Sequence, residues 1–164
     1  MILLYHGSNT DIEQINLKAG IPYKDFGQGF YLTPDIETAK RMAQKKVNLF
    51  GGMPTLITYE FMEEELAGMS LKVMRFPEKA TADWFLFIDA NRDRKLPHPT
   101  HDYDIVVGPI ADDGVVLQLT SYHRGTSTAE QAAFDLQDKY LDQQYFFGSE
   151  ASLQVIRKIK TEKI

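Results

Sequence analysis

The sequence contains no cysteine. That excludes a disulfide-stapled scaffold, a zinc site built on thiolates and a cysteine nucleophile. It also fits a reducing compartment, so a cytoplasmic location is expected. A long apolar run is missing too. The opening MILLYHG has no basic residue ahead of its short apolar stretch, which is too brief for a secretory signal or a membrane span, so no membrane association is expected. Positive charge is not in excess. Lys and Arg number 18 against 23 Asp and Glu, for a net charge of −5, which argues against a broad phosphate-tracking surface. The stretch KRMAQKK, Lys40–Lys46, leaves room for a local basic patch. No internal repeat, low-complexity tract or long linker interrupts the 164 residues, so one domain over 1–164 is expected.

The hydrophobic content of 43% is that of a folded globular chain. Periodicity and breakers predict strands at Ile2–Tyr5, Phe30–Thr33, Thr55–Phe61, Leu71–Phe76, Asp104–Val107, Gln143–Phe147 and Arg157–Glu162. A helix is predicted from Pro34-Asp35 to about Phe50, with an apolar stripe of Ile36, Ala39, Met42, Ala43, Val47 and Phe50. A buried helix is predicted over Ala80–Asn91, with Thr81 as N-cap and Trp84 in the core. A further helix, capped by Asp112 or Asp113, runs to His123, where Gly125 stops it. Ser127 and Glu130 form a capping-box pattern for a helix to about Tyr140, and a short helix covers Ser149–Val155. Strands and helices do not alternate regularly, so the fold class is α+β.

Two short motifs carry the chemistry. In LLYHGSN, His6 stands at a strand end, where an imidazole can exchange a hydrogen bond with a hydroxyl. Gly7 beside it lets a ligand approach the backbone, since there is no Cβ. In DFGQGFYLT, Gly27 and Gly29 lead into a strand that carries Tyr31. This is not a dinucleotide fingerprint, because there the glycines follow a strand and open a helix. Taken singly, each motif has a plainer reading: a turn with an incidental histidine, and a core tyrosine.

Taken together, HGS and GQGFY, followed by the helical TPDIETAKRMA, resemble the ADP-ribosyltransferase superfamily on its poly-ADP-ribose polymerase and diphtheria-toxin side. The wording YHGS, DFGQGFYLT and YDIVVGPIADD resembles a bacterial family of small domains assigned to that superfamily. The resemblance implies two small packed β-sheets around a cleft for NAD, used as co-substrate with no metal. It implies that His6 bonds a ribose hydroxyl and that the Gly7 backbone holds the nicotinamide carboxamide. Ser8 is the adjoining hydroxyl residue, Gly29 belongs to the same strand entry, Tyr31 packs on the nicotinamide ring, and Met42 stands where a second stacking side chain falls. His6 and Tyr31 should then lie within ~12 Å of each other in one pocket.

The resemblance departs at its third motif. The polymerases open a late strand with a glutamate, whereas DQQYFFG puts Gln144 there. A carboxylate would stabilise the oxocarbenium-like transition state of nicotinamide–ribose cleavage, and glutamine brings no charge. The implied catalytic set is His6, Tyr31 and Gln144, and the implied activity is mono-ADP-ribosylation of a protein or nucleic-acid acceptor with release of nicotinamide. A catalytically weak or inactive NAD- or ADP-ribose-binding module is the alternative. Gln144→Glu, nearly isosteric, is expected to raise turnover; Asp25 and Glu150 are the other acids at hand. NAD-dependent removal of an RNA 2′-phosphate would call for a cluster of arginines around the cleft; candidates such as Arg41, Arg92, Arg94 and Arg124 form no Arg-rich motif in the sequence. A small stand-alone domain of this kind fits a toxin or effector with a neutralising partner. Asp102, Asp104, Asp112 and Asp113 lack calcium-loop spacing, and the histidines lack a metal-ligand pattern.

Overall fold

Seven strands divide between two sheets. They are β1 (Ile2–Ser8), β2 (Phe30–Leu32), β3 (Thr55–Phe61), β4 (Val73–Arg75), β5 (Ile105–Pro109), β6 (Gln143–Phe147) and β7 (Ile156–Lys163). Four α-helices accompany them: α1 (Ile36–Phe50), α2 (Ala82–Arg92), α3 (Asp113–His123) and α4 (Ala129–Leu136). This computed structural model describes residues 1–164. One sheet has the order β1-β3-β7 and is antiparallel. The other has the order β2-β6-β5-β4, in which only β4 and β5 run parallel. The fold class is therefore α+β with two sheets. No helix is long and apolar enough to cross a membrane.

Strand alternation sorts side chains into two cores. Leu4, Phe30, Leu32, Ile57, Phe61, Ile105 and Phe147 meet between the sheets. Val106 and Phe146, on the opposite faces of β5 and β6, pack with Trp84, Phe85, Ile88, Leu119 and Leu136 of the helices. Trp84 is fully buried, and its indole N–H donates to Pro109 O at 3.0 Å.

Helix α1 begins because the Asp35 carboxylate accepts from the Glu37 and Thr38 N–H groups, and it stops at Gly51, whose φ is 76°. Its buried face is narrower than the predicted stripe. Ala39 and Ala43 are buried, whereas Ile36, Met42 and Phe50 are exposed. The reason is close approach: a Cβ on Gly7 would lie 1.9 Å from Ala39 O and 2.6 Å from Ala43 N. Two alanines over a glycine bring the helix backbone onto β1, which lifts the larger apolar side chains off the surface.

Several boundaries differ from the sequence reading. Strand β1 extends through Ser8, so the His-Gly-Ser triplet lies within the strand rather than beyond its end. Thr128, not Ser127, caps α4 by accepting from Gln131 N–H, and the helix ends at Leu136. Over Ser149–Val155 only Ala151–Val155 is helical, as a 3-10 turn. Leu17–Ala19 and Glu63–Gly68 form further 3-10 turns without a sequence signal.

Candidate functional site

The two sheets meet along β1 and β2 and then part. Tyr5 and Thr33 exchange both backbone hydrogen bonds, at 2.8 and 2.9 Å. Continued in register, that pairing would set Gly7 opposite Tyr31, but no ladder bond forms there. The His6 ring fills the fork instead: Nδ1–H donates to Tyr31 O at 2.8 Å, and the ring stacks on Phe30 at 4.6 Å. Strand alternation fixes where the Gly7 backbone points. Residues paired with β3 alternate between bonding it and facing away. Tyr5 faces away, since it bonds Thr33, and Gly7, two residues on, shares its phase. The Gly7 N–H and C=O therefore point into the fork, free of any partner.

A cavity of about 50 Å³ occupies this fork and is lined by His6, Gly7, Tyr31, Met42 and Gln144, with Lys24 and Lys46 at its neck. A larger outer cavity of about 370 Å³ adjoins it. The two share His6, Lys24, Tyr31 and Lys46, so the lysines stand between them. Gly29 belongs to the outer cavity; a Cβ there would meet the Phe146 ring at 2.4 Å, so glycine is required for packing alone. Five of the seven sequence-selected residues thus surround the inner cavity, and Gly29 lines the outer one. Ser8 lines neither. It is buried, and its Oγ accepts from Thr10 N–H at 3.3 Å, closing a turn after β1.

Electrostatics sharpen the picture. Burial, with the Lys46 ammonium beside it, pushes the His6 imidazole down to about 3, so the ring is neutral at physiological pH. Lys46 Nζ donates to His6 Nε2 at 3.1 Å, which leaves Nδ1 as the protonated nitrogen that Tyr31 O needs. Lys46 is itself pushed down to about 8, by burial first and by Lys24 second. Burial lowers Lys24 as well. Lys24 Nζ sits 5.3 Å from the Tyr31 ring centroid. Neither lysine forms an ion pair; Arg92 engages Asp25, whose charge still favours the protonated form of Lys24 from a distance. Two partly desolvated cations with no paired carboxylate could hold an anion. The motif reading missed both; Lys46 lay within the basic stretch, and Lys24 carried no signal.

Tyr31 is anchored by its hydroxyl, which donates to Gly27 O at 2.5 Å and accepts from Phe26 N–H at 3.1 Å. This holds the Asp25–Gly29 turn against β2. Gln144 is buried and spends both amide hydrogens, donating to Asp25 Oδ2 at 3.1 Å and to Pro109 O at 3.2 Å. That geometry corrects the expectation for Gln144→Glu. A glutamate would face a carboxylate and a carbonyl with nothing to donate, so it would hold a proton and gain no charge. Glu150 is exposed, precedes the Ala151–Val155 turn and lines neither cavity. Asp25 sits directly behind Gln144. No group of three or more His, Asp or Glu gathers where a metal ion could be held.

No curated protein matches the chain. A family described as a protein of unknown function, DUF3990, matches residues 2–157. That span covers nearly the whole chain and includes the fork, both cavities and Gln144, and on it the protein belongs to the DUF3990 family.

Proposed function

We propose that the protein is an NAD-dependent mono-ADP-ribosyltransferase, whose acceptor is a protein or nucleic-acid group. The observation that carries this reading is the convergence of His6, Gly7, Tyr31, Met42 and Gln144 on one small cavity. The free Gly7 N–H and C=O form a donor–acceptor pair suited to a carboxamide. Tyr31 and Met42 supply aromatic and polarizable walls for a flat ring. Beyond the neck, the outer cavity offers room for the nucleoside half. Lys24 and Lys46 stand between the two, where a dinucleotide carries its diphosphate. In the reaction the nicotinamide–ribose bond breaks and its electron pair leaves with neutral nicotinamide. The ribosyl carbon takes the acceptor's lone pair, and the acceptor's proton passes to solvent. His6, neutral and with its tautomer fixed, has both ring nitrogens engaged, Nδ1 by Tyr31 O and Nε2 by Lys46, so it meets a ribose hydroxyl only when Lys46 turns from Nε2 to the diphosphate, and it moves no proton.

A second reading, a binding module without turnover, has its own support. The Lys24 ammonium lies over the face of Tyr31 on which a nicotinamide would stack. The inner cavity, at 50 Å³, has room for only one or two waters of ~30 Å³ each until Lys24 moves aside. Gln144 brings no charge. The purified protein incubated with NAD distinguishes the readings. Nicotinamide release above the spontaneous rate, lost in His6→Ala, supports the transferase. ADP-ribose binding without release supports the module. Neither release nor binding overturns both.

A further inference from the structure

A buried carboxylate stands where the candidate mechanism has no use for one. Asp25 is 8% exposed and accepts four hydrogen bonds. Its Oδ1 takes Arg92 Nε–H at 2.9 Å and Nη2–H at 2.5 Å. Its Oδ2 takes Ala111 N–H at 3.1 Å and Gln144 Nε2–H at 3.1 Å. The second Gln144 amide hydrogen goes to Pro109 O, which is fixed in turn by the Trp84 indole. Gln144 Nε2 is therefore clamped between two acceptors. The reversed amide would set Oε1 against a carboxylate and a carbonyl, so only one orientation survives. In that orientation Oε1 accepts from no protein group, and the side chain lines the inner cavity.

Resting on the transferase reading, we propose that Asp25 is the positioning residue for Gln144. It turns the amide so that only an acceptor oxygen meets the sugar, and its charge polarises that oxygen toward the developing cation. Hydrogen-bonded groups in low dielectric reinforce one another in this way. Arg92, from the last turn of α2, holds the carboxylate in place through two hydrogen bonds to Oδ1. The chemical partner of Oε1 is a hydroxyl donor, as in a ribose diol. The clamp also explains why an amide occupies position 144. Asp25 already supplies the one carboxylate the pair can hold, and two acids at contact distance would share a proton.

Kinetics of nicotinamide release and side-chain NMR test this together. Asp25→Asn should lower kcat by about tenfold or more with KM changed by less than about twofold, because the contact matters when charge develops. Asp25→Asn/Gln144→Ala should be no slower than Gln144→Ala alone, since Asp25 acts through Gln144. Asp25→Asn/Gln144→Glu should be at least about tenfold faster than Asp25→Asn, while Gln144→Glu alone should not exceed the parent near neutral pH. Independent, multiplying losses, or a parent-like kcat in folded Asp25→Asn, would overturn the proposal. The Gln144 side-chain amide supplies a readout that needs no turnover. Its two protons should exchange slowly with solvent in the parent and markedly faster in Asp25→Asn. If the parent releases no nicotinamide but shows this dependence, the transferase reading fails and the clamp stands. An amide that exchanges equally fast with and without Asp25 overturns the clamp whatever the activity.

Discussion

Lys46 should make anion binding in the cleft fall with rising pH. In the free protein its ammonium loses its proton near pH 8 rather than 10.5, first because it is partly desolvated and second because Lys24 repels it. A diphosphate between the two lysines favours the charged form, which returns the group toward its ordinary range. Between pH 8 and 10.5 the complex then holds a proton that the free protein has lost. Affinity for ADP-ribose should therefore be about tenfold weaker at pH 9 than at pH 7, with roughly 0.9 proton taken up on binding at pH 9. Titration calorimetry in two buffers of different ionisation enthalpy reads both quantities. In Lys46→Arg the guanidinium stays charged, so the slope should nearly vanish. Equal affinity at pH 7 and 9, or the same slope in Lys46→Arg, would refute the placement of an anion beside Lys46.

Three further outcomes follow from the same geometry. His6 is neutral when folded down to about pH 3 but takes a proton near 6.5 when unfolded, so its contribution to stability is present above 6.5 and is lost as pH falls below it. Urea denaturation should show about 2 kcal/mol lost between pH 7 and 5 in the parent and little of that in His6→Gln; parallel losses would contradict the neutral ring. Gly7→Ala should destabilise by about 3 kcal/mol or more, read from the urea midpoint, because its Cβ would meet Ala39 O at 1.9 Å; a parent-like midpoint would show that α1 does not rest on β1. Tyr31→Phe should cost about 1–3 kcal/mol by stranding Phe26 N–H and Gly27 O, and should speed amide exchange at Phe26; unchanged exchange there would mean that the hydroxyl does not hold the turn.

The α+β class, the helix start at Asp35, the cap at Thr81 and the choice of Asp112 or Asp113, of which Asp112 is the cap, were legible because they depend on local chemistry. So was the late strand Gln143–Phe147, whose aromatic run reads as β. The boundary errors arise where tertiary contacts decide. Strand β1 runs on through Ser8 because β3 pairs with it that far. The apolar stripe of α1 is half exposed because Gly7 draws the helix in at Ala39 and Ala43. At the site, the two motifs brought His6, Gly7 and Tyr31 to one place. Ser8 fell outside because its hydroxyl closes the turn after β1 by accepting from Thr10 N–H. Lys24 stayed hidden, and Asp25 was legible only as an acid near the glycines, because their roles come from burial and from partners distant in sequence: Asp25 meets Gln144 from 119 residues away. No spacing rule encodes such a pair.

A structure of the protein with NAD, or with a non-hydrolysable analogue, tests the central claim most directly. The account predicts the carboxamide within hydrogen-bonding distance of Gly7 N and O, the ring against Tyr31 with Lys24 displaced, and the diphosphate between Lys24 and Lys46. It also predicts a ribose hydroxyl on Gln144 Oε1. A dinucleotide bound elsewhere, or a fork still closed by Lys24 at saturating ligand, would contradict it.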